Sequence, residues 1–121
     1  MRLFKGALLQ VFFIVLLGQA ANALEFPEEL AKEFPPCKGS EVVQVTNMQG
    51  SLLVNQICQD TPENVAALYK SNAEKAGYTI LMDTKMPEMI MIVTEKGNVT
   101  FSISVGVDNG KTMVALAKGK K

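Results

Sequence analysis

Histidine and tryptophan are missing from this chain, and its only arginine is Arg2. Without histidine, no side chain has an ordinary pKa near neutrality, and the commonest nitrogen ligand for metals is gone. With no arginine past position 2, there is no planar fork to grip a phosphate or carboxylate at two points. Charge is balanced, twelve cationic side chains against twelve acidic ones. Together these features exclude nucleic acid as an expected partner. No nucleophile stands beside a base, and no glycine-rich phosphate loop occurs. A hydrolase built on carboxylates alone would need two acids facing one cleft, and no spacing here enforces that. The chain reads as non-catalytic.

Long apolar runs are also scarce, and the one present lies at the start. Arg2 and Lys5 precede an uncharged stretch from Gly6 to Gly18; Ala21 and Ala23 then flank Asn22, and charge returns at Glu25. That order describes a secretory signal, residues 1–23, ending in an A-x-A exit. Its apolar core is shorter than the roughly 20 residues a membrane span requires. The expectation is a periplasmic or secreted protein with no stable membrane span after cleavage. Removing residues 1–23 takes Arg2 and Lys5 away and leaves ten cationic side chains against twelve acidic ones, net −2. The remaining chain, about 98 residues, is the size of one domain. Residues 24–36 read as an N-terminal strap and 37–121 as a single domain.

Within that domain the periodicity changes twice. Phe26 to Phe34 suggests a short helical turn with Leu30 and Phe34 on one face, stopped by Pro35-Pro36. Residues 41–47 and 52–59 are rich in β-branched side chains and read as a hairpin reversing near Gly50. Thr61 is a natural N-cap, Pro62 suits the first helical position, and Gly77 suits the C′ position, which predicts a helix over 62–76. Residues 78–83, 89–95, 99–107 and 112–117 then read as a β-meander, with turns at Met86-Pro87, Lys96-Gly97-Asn98 and Asp108-Asn109-Gly110. Lys118, Lys120 and Lys121 read as a frayed tail. The expected fold class is α+β: an antiparallel sheet, β-β-α-β-β-β-β, with one helix packed across it. One helix would cover only part of such a sheet, leaving apolar strand residues to a second copy or to edge pairing.

Two groups of residues invite a chemical reading. Cys37 and Cys58 form an even cysteine count in an exported chain, which favours a disulfide. A hairpin turning near Met48 brings about position 39 opposite Cys58, so Cys37 lies within reach. The other group is Met82, Met86, Met89 and Met91. Flexible thioethers fill irregular core space, and packing against the helix is the first expectation. The alternative is a Cu(I) site, because soft thioethers select that ion and the M-x-x-M-x-M spacing resembles exported copper-handling proteins. Otherwise no cofactor is expected. The acids Glu25, Glu28, Glu29 and Glu33 lack calcium-loop spacing and read as a solvated face. Tyr69 and Tyr78 read as packing anchors. Asn98-Val99-Thr100 is a glycosylation sequon on a turn.

The lead-in Pro36-Cys37-Lys38-Gly39-Ser40, the hairpin, the run T-P-E-x-V-x-x-x-Y ending in Gly77-Tyr78, and the meander together resemble small exported bacterial proteins of uncharacterised function. That resemblance implies the same fold and a periplasmic setting, and it transfers no active site. The functional expectation is a non-catalytic interaction module whose partner is another protein, the cell envelope or a second copy of itself.

Overall fold

A computed structural model describes residues 24–121. The signal sequence assigned to residues 1–23 lies outside the described residues. A helical turn, α1 (Glu28–Ala31), precedes the hairpin of β1 (Glu41–Met48) and β2 (Ser51–Cys58). Helix α2 (Pro62–Lys75) follows, then β3 (Thr79–Met86), β4 (Met89–Lys96), β5 (Val99–Asp108) and β6 (Lys111–Lys120). The six strands form one sheet in the order β1-β2-β6-β5-β4-β3, and every neighbouring pair is antiparallel.

The α+β expectation is overturned. Strands hold 53% of the described residues and helices 18%, so the domain is sheet-dominated. The cause is strand length. β3 continues to Met86 and closes on Met89 through the two-residue turn Pro87-Glu88. β6 continues to Lys120, where a frayed tail was expected, because Lys118 and Lys120 pair with Phe101 and Val99 on β5. Two tight turns have the backbone that two-residue hairpins favour: Gln49-Gly50 and Asn109-Gly110 all carry positive φ.

Helix α2 begins where Thr61 Oγ1 accepts the Asn64 N–H at 3.2 Å, with Pro62 in the first turn. It ends where Gly77, at φ 91°, lets the Tyr78 N–H donate back to the Ala73 carbonyl at 2.9 Å. Its buried stripe of Val65, Ala66, Tyr69 and Ala73 lies over β3, β4, β5 and β6.

The rest of this sheet face is not left for a second copy or an edge strand, as the sequence suggested. The chain's own N-terminal arm covers it. Leu30 and Phe34 are fully buried. The Phe34 ring stacks on Phe101 with centroids 3.5 Å apart and meets Tyr78 edge-on at 5.4 Å. Past Pro36 the arm joins the hairpin: the Gln59 N–H donates to the Lys38 carbonyl at 2.8 Å. Cys37 and Cys58 are joined by a disulfide, their Cα atoms 5.8 Å apart.

Glu33 departs from the solvated face expected of the acidic residues. It accepts from Lys96 at 2.9 Å, Tyr78 at 2.9 Å and Lys118 at 3.2 Å, tying the arm to the ends of β4 and β6. Burial pushes its carboxyl pKa up, but these three donors outweigh burial and hold it below its ordinary value. A carboxylate with a depressed native pKa stabilises the fold above its unfolded pKa, and that contribution is lost as pH falls through the native value. Stability should therefore decline as pH drops below about 4.5. Glu33→Gln should flatten this acid limb and lower the neutral-pH plateau, as checked by urea titrations of both proteins at pH 7 and pH 3. An unchanged acid limb would place the acid sensitivity elsewhere.

Candidate functional site

Cross-strand register assigns each side chain to one of two faces, since opposed residues share a face and neighbours along a strand alternate. On β4, Ile90, Ile92 and Thr94 point to the helix side and are buried. Met89, Met91 and Val93 point the other way. Following the register outward, this second face carries Met86 and Met82 on β3, Ser102, Ser104 and Gly106 on β5, and Met113, Ala115 and Ala117 on β6. Leu53, Asn55 and Ile57 continue it on β2, then Gln44 and Thr46 on β1. No helix lies on it among the described residues.

The expectation that the methionines fill the core is therefore overturned. Met82, Met86, Met89 and Met91 all occupy the face opposite α2. Met86 pairs directly with Met89 beside the Pro87-Glu88 turn, and Met91 pairs with Thr84. Met82, Met86 and Met89 are 39%, 40% and 39% exposed, whereas the neighbouring core positions Ile90 and Ile92 are buried. The reason is parity: from Met82 onward, even positions on β3 share a face with odd positions on β4, and α2 covers the opposite one, with Ile90, Ile92 and Thr94. Alternation along β4 offers Met89-Met91-Val93 and Ile90-Ile92-Thr94 alike as the inward set, and the sequence does not say which of them the helix covers.

The centre of this outer face carries no charge. Its charged residues stand at strand ends: Glu95, ion-paired with Lys121, at one end, and Asp108, Lys111 and Glu41 at the other. Small side chains along β5 and β6 leave two shallow depressions. One, of about 300 Å³, lies beside Met89, Ser104, Gly106, Met113 and Ala115. The other, of about 430 Å³, lies beside Thr46, Leu53, Ser102 and Ala117.

Both sheet edges are blunted. An extra residue, Val43 on β1 and Leu81 on β3, interrupts each edge ladder with a bulge. Such bulges twist an edge away from further strand pairing.

The helix side holds a buried polar network that sequence reasoning missed. Gln56, fully buried on β2, donates from Nε2 to the Tyr69 hydroxyl at 2.6 Å and accepts from the Ser40 hydroxyl. Tyr69 in turn donates to the Pro35 carbonyl at 2.8 Å. Burial pushes the Tyr69 pKa up to about 12, so the phenol stays protonated and works as a clasp for the arm. A glutamine at an inward strand position, in phase with Val54 and Cys58, was the available signal. Gly39 completes the lead-in at φ 64°, where an added Cβ would collide with the Gln59 side chain. Among the described residues, no group of three or more His, Cys, Asp or Glu is placed to hold a metal ion.

The hairpin, the capped helix and the meander up to the start of β6 coincide with a family profile, START domain-like, which matches residues 40–112, more than half of the chain. The chain belongs to the START domain-like family. No curated protein and no solved structure matches it. The START domain-like segment contains Met82, Met86, Met89 and Met91 and most of the outer face. It excludes the arm with Leu30, Phe34 and Cys37, and all of β6 beyond Thr112. In this START domain-like protein, then, the arm and β6 complete the core from outside the matched segment. Among the described residues no helix is long and apolar enough to cross a membrane. That observation and the disulfide are compatible with export.

Proposed function

We propose that this chain is an exported, non-catalytic interaction module that docks through the outer face of its sheet, and that the occupant of that face is a second copy of the chain. The observation that carries this reading is the uncharged centre of the face, rimmed by charge only at strand ends. Interface cores are depleted of charge and enriched in methionine, whose flexible thioether adapts to an irregular partner. The sheet's footprint supports it too. Six strands at about 4.8 Å spacing, each about seven residues long, offer on the order of 600 Å². A standard interface takes roughly 800 Å² from each partner.

The face is also self-complementary. A two-fold axis along the strands between β5 and β6 sets Ser102 and Ser104 of one copy over Ala117 and Ala115 of the other. The same operation lays Met89, Met91 and Val93 over Ile57, Asn55 and Leu53, closing an aligned two-sheet packing. The bulged edges favour this face over strand addition.

Sedimentation velocity across a concentration series tests the reading. The wild-type chain should sediment as a dimer at micromolar concentration, and Ala115→Glu should return it to a monomer with unchanged secondary structure. A wild-type chain that remains monomeric throughout, or a dimer indifferent to Ala115→Glu, would overturn it.

A further inference from the structure

We infer that Met86, Met89 and Met91 form a soft-metal site that holds one Cu(I) ion on the outer face of the β3–β4 hairpin. This inference does not rest on the docking reading: it stands on where the thioethers lie. Because a second copy would cover Met89 and Met91, Cu(I) and dimerisation compete, so the titration is run on Ala115→Glu as well as on the wild type. Directly opposed residues in an antiparallel pair have Cβ atoms about 4.5–5.5 Å apart, which is the relation of Met86 to Met89. Met91 lies two residues further along the same face as Met89, about 7 Å away. Three flexible side chains, each with three rotatable bonds, thus start from one small triangle and point to the same side. Met82 shares that side, diagonal to Met91.

Met89 opens onto the depression of about 300 Å³, which its directly opposed β5 partner Gly106 also lines. Uncharged Ser104 is the next β5 residue on that face.

Core packing does not account for these residues, because α2 and the arm lie on the other side of the sheet. The donor set also selects the ion. Thioethers are soft ligands suited to Cu(I), while zinc, calcium and magnesium ask for imidazole, thiolate or oxygen donors. No cluster of His, Cys, Asp or Glu among the described residues supplies those. Binding needs no redox step if the ion arrives as Cu(I), each thioether sulfur donating one lone pair.

The test is an anaerobic titration of Cu(I) into the purified chain against a chromogenic Cu(I) chelator. One equivalent should be withdrawn from the chelator by the wild-type chain. Replacing any one of Met86, Met89 or Met91 by Leu should weaken binding by at least the roughly 10–100-fold that loss of an outer-shell partner costs a metal site. Met48→Leu, on the far edge of the same face, should change nothing. Leucine keeps size and apolarity at an exposed position, so the fold survives. It also separates this site from docking: Met→Leu spares an apolar contact but removes a ligand, and Ala115→Glu does the reverse. In a second measurement, Cu(I) should shift the ε-methyl NMR signals of Met86, Met89 and Met91 and leave that of Met48 in place. Failure to compete with the chelator would overturn the assignment, as would binding that all three Leu variants retain or that Met48→Leu weakens equally.

Discussion

Phe34→Ala should lower the unfolding free energy by about 3–5 kcal/mol, the cost of truncating a fully buried phenylalanine. Phe34 has no exposed surface, and its ring is held between Phe101 and Tyr78. Those partners belong to β5 and to the lead-in of β3, so the loss is felt across the sheet. Collapse around the gap is limited, because Phe101 is fixed in a central strand and Tyr78 is tethered to Glu33. A domain of this size has roughly 5–15 kcal/mol in total. The variant should therefore show a urea midpoint lower by about 2 M, with a slope near that of the wild type. Phe34→Leu, which keeps most of the volume, should lose much less. If alanine shifted the midpoint by only a few tenths of a molar unit, the arm would not be part of the cooperative core.

Replacing both Cys37 and Cys58 by Ala should cost about 3 kcal/mol, the chain-entropy value for a loop of this size. The bridge spans 21 residues and lies in the core, both half-cystines being buried. It closes the arm onto the end of β2, where the Gln59 N–H also donates to the Lys38 carbonyl. Equilibrium denaturation of the double variant measures the cost. Hydrogen exchange at the amides of Phe34 and Gln59 should rise more than at Ile103, deep in β5. Phe34 and Cys37 fasten the same arm, so the combined variant should lose less than the two effects added. Strict additivity would mean that bridge and ring act independently, contrary to a single docked arm.

The sequence determined the local structure wherever a few neighbouring residues decide it. Thr61, Pro62 and Gly77 set the bounds of α2, because capping needs only contacts within one helical turn. Asn109-Gly110 and Gln49-Gly50 placed two hairpins, since positive φ at both positions is a local demand. The two cysteines, with the hairpin between them, were enough to read the disulfide. Residues 82–91 show where local reading stopped. Their methionines suit either face of a strand, and alternation along β4 does not say whether the Met89-Met91 set or the Ile90-Ile92 set lies under the helix. Only the pairing of β3 with both β4 and α2 decided that Met86 and Met89 face outward.

The helix side of the sheet was legible only in part, for a similar reason. Leu30 and Phe34 show a helical stripe, but nothing near them in the chain names Phe101 as the surface they cover. Glu33 looked like one solvated acid among four until the fold brought Lys96 and Lys118 to it from 63 and 85 residues away. Tyr69 met Gln56 and Pro35 in the same way. Caps, turns and alternation are written in adjacent residues and can be read there. Which apolar face is covered, and by what, depends on contacts distant in sequence, and these exist only once the chain has closed on itself.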